Sequence, residues 1–372
     1  MRSEMRTGAS RGTGNRMRST ARSGSSTRRV LRVGAALVVG AVVAGCGTGS
    51  TKAKGPATVV LVTYSSFALD KQVQAQVEKT LGAKIELRQS GDAGEALSKA
   101  ILNAGKPEGD VFFGVDNTLM TRALDAKLFD SYAPRPLAQV PPAMDLDTSR
   151  HLSPIDSGSV CINYDKKWFA DKAIAPPTSF DDLADARYKD LLVTENPVTS
   201  SPGLVFMMAT HARYGDAADD YWRKLKANGV AVVGSWDEAA EKRYTVAGGD
   251  RPLVVSYASS PPAEVVYSEG KLTEPTSGVA EGTCALQVEM AGLLRGAAHP
   301  ALGRKLLDAM LSIEWQQALP LTNFVDPARR DAVLPDVYQK FALHPAAPIT
   351  LDPATVGASR DQWVDEWRKI LE

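Results

Sequence analysis

The stretch Ala57-Thr58-Val59-Val60-Leu61-Val62-Thr63-Tyr64 decides the fold of this chain. Its apolar residues run on without alternating, which marks a strand covered on both faces. The pattern then switches. Helical spacing covers Asp70 to Leu81, and Ile85-Glu86-Leu87-Arg88 reads as a strand. Gly94 to Asn103 is a second helix, and Asp110 to Val115 a third strand. Strands alternating with helices predict a parallel α/β architecture. Such sheets bind ligands beyond the carboxyl ends of their strands, so the turns after Val62, Leu87 and Val115 are where a site is expected.

A proline-rich loop from Ala133 to Pro142 interrupts this rhythm, and Val160 to Tyr164 begins a second α/β lobe. Helices are expected at Phe180–Ala186, Gly203–Tyr214 and Asp216–Asn228, with strands at Leu191–Thr194, Val230–Val233 and Leu253–Tyr257. Gln287-Val288-Glu289 returns the chain to the first lobe, followed by helices at Ala301–Leu311 and Glu314–Leu319. A final helix, Arg360 to Leu371, sets Trp363, Trp367 and Leu371 on one face, a spacing that favours docking on a core. The expected organisation is lobe 1 over 57–155, lobe 2 over 156–278, and a return to lobe 1 over 279–372.

The N-terminus has a different character. Arg28-Arg29 and Arg32 precede an apolar run from Val33 to Val43, which ends in Val43-Ala44-Gly45-Cys46. A basic segment, a short apolar run and small residues before a cleavage point form an export signal. With cysteine after the cut, this one resembles the bacterial lipoprotein signal. The resemblance implies acylation at Cys46, a signal peptide with a basic extension over 1–45, and a flexible tether over 46–56. Met17 is an alternative start. A retained anchor is the alternative for the apolar run, although a span needs roughly 20 apolar residues.

Nine of the 43 Lys and Arg and one of the 43 Asp and Glu precede Cys46. The remainder has 34 basic and 42 acidic residues, a net charge near −8. That balance argues against a nucleic-acid partner. Some 325 residues suit two lobes better than one core. Cys161 and Cys284 remain, both in strand-like contexts; in an oxidising compartment they can pair, the alternative being two separate buried thiols.

Several motifs of chemistry are missing from the sequence. It has no phosphate loop, no dinucleotide glycine fingerprint and, beyond Cys46, no Gly-x-Ser-x-Gly elbow. His151, His211, His299 and His344 are scattered, without metal spacing. Asp181-Asp182 starts a helix, where acidic residues complement the positive end. No catalytic residue, metal or cofactor is expected.

Five segments together resemble the thiamine-binding proteins of ABC importers, over almost the whole chain from Val59 to Lys369. They are Thr63-Tyr64-Ser65-Ser66-Phe67; Asp92 with Gly114-Val115-Asp116-Asn117; Thr199-Ser200-Ser201-Pro202-Gly203-Leu204; Gly234-Ser235-Trp236-Asp237-Glu238-Ala239; and Ser256-Tyr257-Ala258-Ser259-Ser260-Pro261. The resemblance implies a two-lobe type II periplasmic-binding fold with a hinge and an interlobe cleft. It also implies a monomer that captures thiamine, its monophosphate or its diphosphate and meets ABC permease subunits at the membrane that its lipid anchor holds. Ligand contacts carry over to Asp92, Ala93, Ser200, Ser201, Trp236, Tyr257, Ala258, Ser259 and Ser260, with Tyr64 joining them. Asp116 is read as bracing the first lobe. Two departures stand out: Phe324 where the family commonly has tryptophan, and Tyr64-Ser65 where it has Tyr-Asp.

The residue chemistry fits such a ligand. Tyr64, Trp236 and Tyr257 offer faces for a cation, each worth about 0.5–2 kcal/mol. Asp92 suits an amine or balances the charge. The segment from Thr199 to Gly203 opens a helix whose free amides suit a phosphate. Each residue also has a plainer reading: a core ring for Trp236, Tyr257 or Tyr64, a helix cap for Ser200 and Ser201, a turn for Asp92. Rival ligands for the fold are ferric iron, polyamines and oxyanions. An enzyme of the thiaminase type, with a cysteine nucleophile and Glu281 as base, is the rival from another class.

Overall fold

The computed structural model describes residues 57–372. The signal over 1–45, acylation at Cys46 and the tether 46–56 lie outside the described residues. The opening strand is β1 (Ala57–Thr63), followed by α1 (Lys71–Leu81), β2 (Ala83–Gln89), α2 (Ala93–Leu102) and β3 (Val111–Asp116). β1 pairs in parallel with both β2 and β3. Helix α1 starts where Asp70 accepts from the backbone N–H groups of Gln72 and Val73, and stops at Gly82, whose φ of 63° is left-handed.

Next come α3 (Met120–Asp125), β4 (Phe129–Asp130), the long β5 (Ser153–Asp165), α4 (Lys166–Lys172) and α5 (Phe180–Leu183). The expected helix over 180–186 is shorter because the capping box of Ser179 and Asp182 opens only one turn, which gives way to a tight turn at Ala186–Tyr188. Then follow β6 (Leu192–Glu195), α6 (Ser201–Tyr214), α7 (Ala218–Ala227), β7 (Ala231–Val233), α8 (Trp236–Glu238), β8 (Leu253–Tyr257) and α9 (Pro262–Tyr267). β6 pairs in parallel with β7 and β8, repeating the pattern of the first half.

The largest difference from the sequence reading is β9, which runs from Ser277 to Leu294, where only a short returning segment was expected. Its residues, buried almost throughout, do not alternate. β9 pairs antiparallel with β3 and with β5, and β5 pairs antiparallel with β8. The order is therefore β2-β1-β3-β9-β5-β8-β6-β7, so the two parallel halves are joined by one antiparallel pair rather than being separate sheets. The chain ends with α10 (Pro300–Met310), α11 (Ile313–Thr322), β10 (Asp326–Pro327, paired with β5), α12 (Asp336–Phe341) and α13 (Pro353–Leu371).

Cys161 of β5 and Cys284 of β9 are disulfide-bonded. The bond sits where the β5–β9 register jumps, from Val160 opposite Ala285 to Ile162 opposite Ala280. The backbone N–H of Ile162 donates to Thr283 Oγ1 at 2.9 Å, which satisfies the donor that the jump strands.

Helix α13 packs on α3 and on α7. Trp367 is buried against Trp222 at 5.8 Å, and Trp363 stacks on His211 at 4.2 Å with an interplanar angle of 8°. Both indoles serve packing. Among the described residues no helix is long and apolar enough to cross a membrane.

Candidate functional site

A cleft of about 500 Å³ lies where the carboxyl ends of the strands from both halves converge. The turn after β1 gives it Tyr64, the start of α2 gives Asp92 and Ala93, and the start of α6 gives Ser201 and Pro202. Trp236 comes from α8, Tyr257 from the end of β8, and Glu289 from β9. The volume suits a small organic molecule.

Two glycines make room for two rings. Tyr64 lies over Gly114, where an added Cβ would come 2.8 Å from the ring; Gly114 also has φ at 116°, which other residues rarely adopt. Tyr257 lies over Gly158, where a Cβ would come 2.9 Å from its ring. Tyr64 packs 5.8 Å from Phe113 and donates its hydroxyl proton to Glu289 Oε2 at 3.0 Å. Trp236 is fixed at both ends: its backbone N–H donates to Asp92 Oδ2 at 2.8 Å and its indole N–H to Ser256 Oγ at 3.0 Å. The first of these joins the two halves, as does the bond from Ser65 Oγ to Asp237 Oδ2 at 2.7 Å.

The mouth carries a further aromatic pair. Tyr267 of α9 meets Phe324 edge to face, with ring centroids 5.6 Å apart. Phe324 holds a left-handed φ of 53°. Asn323 beside it exchanges hydrogen bonds with the backbone of Ala68, which pins this loop to the turn after β1. A non-glycine residue held in that conformation costs of order 1–3 kcal/mol and is found where the surroundings require it.

The electrostatics of the cleft are one-sided. Asp92, Glu241, Glu264 and Glu289 line it, and no Lys, Arg or His does among the described residues. Burial raises Asp92, against the lowering effect of the N–H donors of Trp236 and Ala93. Burial, reinforced by Asp116, pushes Glu289 up to about 8. Glu264 is engaged by Thr276 and the backbone of Ser277. Among the described residues no group of His, Cys, Asp and Glu is suited to holding a metal ion.

The family model described as bacterial extracellular solute-binding protein matches residues 107–345. The chain belongs to this family. The solute-binding protein is 31% identical to the thiamine-binding periplasmic protein of Salmonella typhimurium, over 84% of this chain and 93% of that one. It is 30% identical to the thiamine-binding periplasmic protein of Escherichia coli over the same shares. A solved structure of a periplasmic thiamin binding protein superposes with a TM-score of 0.75 at 26% identity, covering 85% of this chain and 96% of that one. The fold is the type II periplasmic-binding fold, with its two lobes and interlobe cleft. Members bind solutes outside the cytoplasm and are not enzymes.

Of the ten binding positions expected from the sequence, the cleft wall of this solute-binding protein contains Tyr64, Asp92, Ala93, Ser201, Trp236, Tyr257 and Ser260. Ser200, Ala258 and Ser259 lie behind it. Ser200 is buried at the cap of α6, Ala258 packs on the disulfide, and Ser259 is buried beside it in sequence. Asp92 spends its oxygens on the N–H groups of Ala93 and Trp236, so it joins the lobes as well as facing the cavity. Asp116 is fully buried, accepting from Thr118, Leu119 and Gln287 and also from Ser201 of α6, so it links the two halves as well as bracing the first.

Sequence reasoning missed Glu289, Glu264 and Tyr267. Glu289 sat in a segment read only as a return strand. Its signal was the one charged residue in the run Cys284 to Leu294, which is apolar apart from it and Gln287.

Proposed function

We propose that this solute-binding protein captures thiamine outside the cell membrane and delivers it to an ABC importer. The observation that carries the reading is a cleft of molecular size walled by Tyr64, Trp236, Tyr257, Tyr267 and Phe324, with four carboxylates and no basic side chain among the described residues. Aromatic faces and acidic groups together favour a flat organic cation. The relatives named thiamine-binding support the same ligand.

Phosphate esters of thiamine are weaker candidates, since the cleft offers their phosphates only backbone amides at the start of α6 and hydroxyls such as Ser201. Ser200 and Ser259 stand behind the wall, each next in sequence to a serine that lines it, Ser201 and Ser260. The disulfide leaves neither Cys161 nor Cys284 as a thiol nucleophile. The same lack of cationic side chains disfavours an oxyanion.

The proposal extends to the delivery. Cys46 bears the lipid anchor after removal of 1–45, and 46–56 tethers a monomeric domain to the outer face of the cell membrane. The lobes divide as 57–155 with 279–372, and 156–278. The ligand bridges both lobes, so it stabilises the shut form that the permease recognises.

Titration calorimetry with thiamine, thiamine monophosphate and thiamine diphosphate tests the reading. Micromolar or tighter binding of thiamine is the expected result, equivalent to at least about 8 kcal/mol. No heat and no change in indole emission with any of the three refutes it.

A further inference from the structure

This inference rests on the reading of the cleft as a site for a thiamine-like cation and concerns how its charge is met. Three carboxyls stand side by side on neighbouring strands. Asp116 of β3 is opposite Glu289 of β9, and Glu289 is opposite Asp156 of β5. All three are at most 5% exposed, yet only Glu289 reaches the cleft wall. Asp116 is satisfied by its own hydrogen bonds, whereas Asp156 stands directly opposite Glu289 on the neighbouring strand.

The groups facing Glu289 from the other elements are all acidic or phenolic. Tyr64 donates to it from the turn after β1, Asp92 faces it from the start of α2, and Tyr257 from β8. Behind Asp156 stands Asp326 of β10, which accepts from Tyr338 and pairs with His344. Within the cleft wall, therefore, nothing among the described residues neutralises Glu289 if it ionises.

We infer that Glu289 is the counter-charge of the ligand, and that capture of the cation drives a proton off the Glu289–Asp156 pair into solvent. Two adjacent buried carboxyls cannot both ionise without a compensating charge. Burial pushes Glu289 up to about 8 and Asp156 in the same direction, so the pair is uncharged at neutral pH until a cation arrives. A cation against Glu289 in a dry cleft then favours the carboxylate by Coulomb attraction. The proton passes from Glu289 to water and on to buffer. A neutral molecule of the same shape gains nothing from this step, which makes Glu289 a specificity-determining residue. Asp156 acts through Glu289 and is a positioning residue.

Calorimetry of thiamine binding in buffers of different ionisation enthalpy reads the proton directly. The expected result near neutral pH is release approaching one proton per thiamine, with the dissociation constant falling about tenfold or more between pH 6.5 and 8. Glu289→Gln should weaken thiamine binding at least about tenfold and abolish the release, which separates it from titration of the aminopyrimidine. Asp156→Asn keeps a donor beside Glu289 and should retain binding and proton release, whereas Asp156→Ala should move the pH profile to higher pH. Tight thiamine binding by the unmodified protein with no buffer dependence of the heat overturns the inference while leaving the functional reading intact. Absence of thiamine binding overturns both.

Discussion

Tyr267 and Phe324 meet edge to face across the mouth of the cleft, their planes at 72°, although one follows β8 and the other precedes β10. Tyr267 is 67% exposed, so little of the fold depends on it. We expect Tyr267→Ala to leave the melting temperature unchanged and to speed thiamine dissociation several-fold in stopped-flow fluorescence. An unchanged off-rate means that the pair does not gate the mouth.

Trp236 combines a ring in the wall with two hydrogen bonds, one of them to Asp92 in the other half. Trp236→Ala should weaken thiamine binding at least tenfold, about 1.4 kcal/mol or more. Trp236→Phe retains a ring and the backbone bond but loses the indole bond to Ser256, so it should lie between the two. If both variants bind like the parent in calorimetry, Trp236 has no part in the site.

Gly158 gives a test that replaces no ligand-facing side chain. An added methyl would strike the Tyr257 ring at 2.9 Å. Alanine normally suits a strand better than glycine, so Gly158→Ala should shift stability by about 1 kcal/mol or less in denaturant titrations. Its effect should appear as weaker binding, because the Tyr257 ring is pushed into the cleft.

The disulfide closes a sequence separation of 123 residues. Replacing both cysteines with alanine should lower unfolding free energy by about 2–5 kcal/mol, measured with guanidinium. A thiol count of the folded parent domain should find neither Cys161 nor Cys284.

The raised Glu289 sets a pH trend in the ligand-free protein. Its value rises from 4.5 to about 8 on folding, so the folded state holds more protons in that window. Stability from this group is therefore fully present below about pH 4.5 and declines as pH rises towards 8. Melting temperatures across this window should fall less steeply for Glu289→Gln than for the parent. Equal slopes would mean that Glu289 ionises in the ligand-free fold as it does in the open chain.

The parallel halves were legible because β1, β3 and β8 are short apolar runs flanked by helical spacing. The turns carrying Tyr64, Trp236 and Tyr257 followed from the strand-end rule together with the family resemblance. β9 was harder to read. Its eighteen residues are buried almost throughout, so they lack the alternation of a half-covered strand. The link between the halves therefore went unseen, and with it the register that sets Glu289 between Asp116 and Asp156. Tyr267 was missed for the opposite reason, since an exposed tyrosine on a one-turn helix has no pattern around it.

Helix α13 is held at its start by Thr121 of α3, which donates to Pro353 O at 3.2 Å, and at its end by Lys226 of α7, which donates to Ile370 O. Helix α13 thus touches an element of each half and braces one against the other. Since no residue of α13 lines the cleft, how firmly the halves are clasped can be altered there without changing the ligand's immediate surroundings.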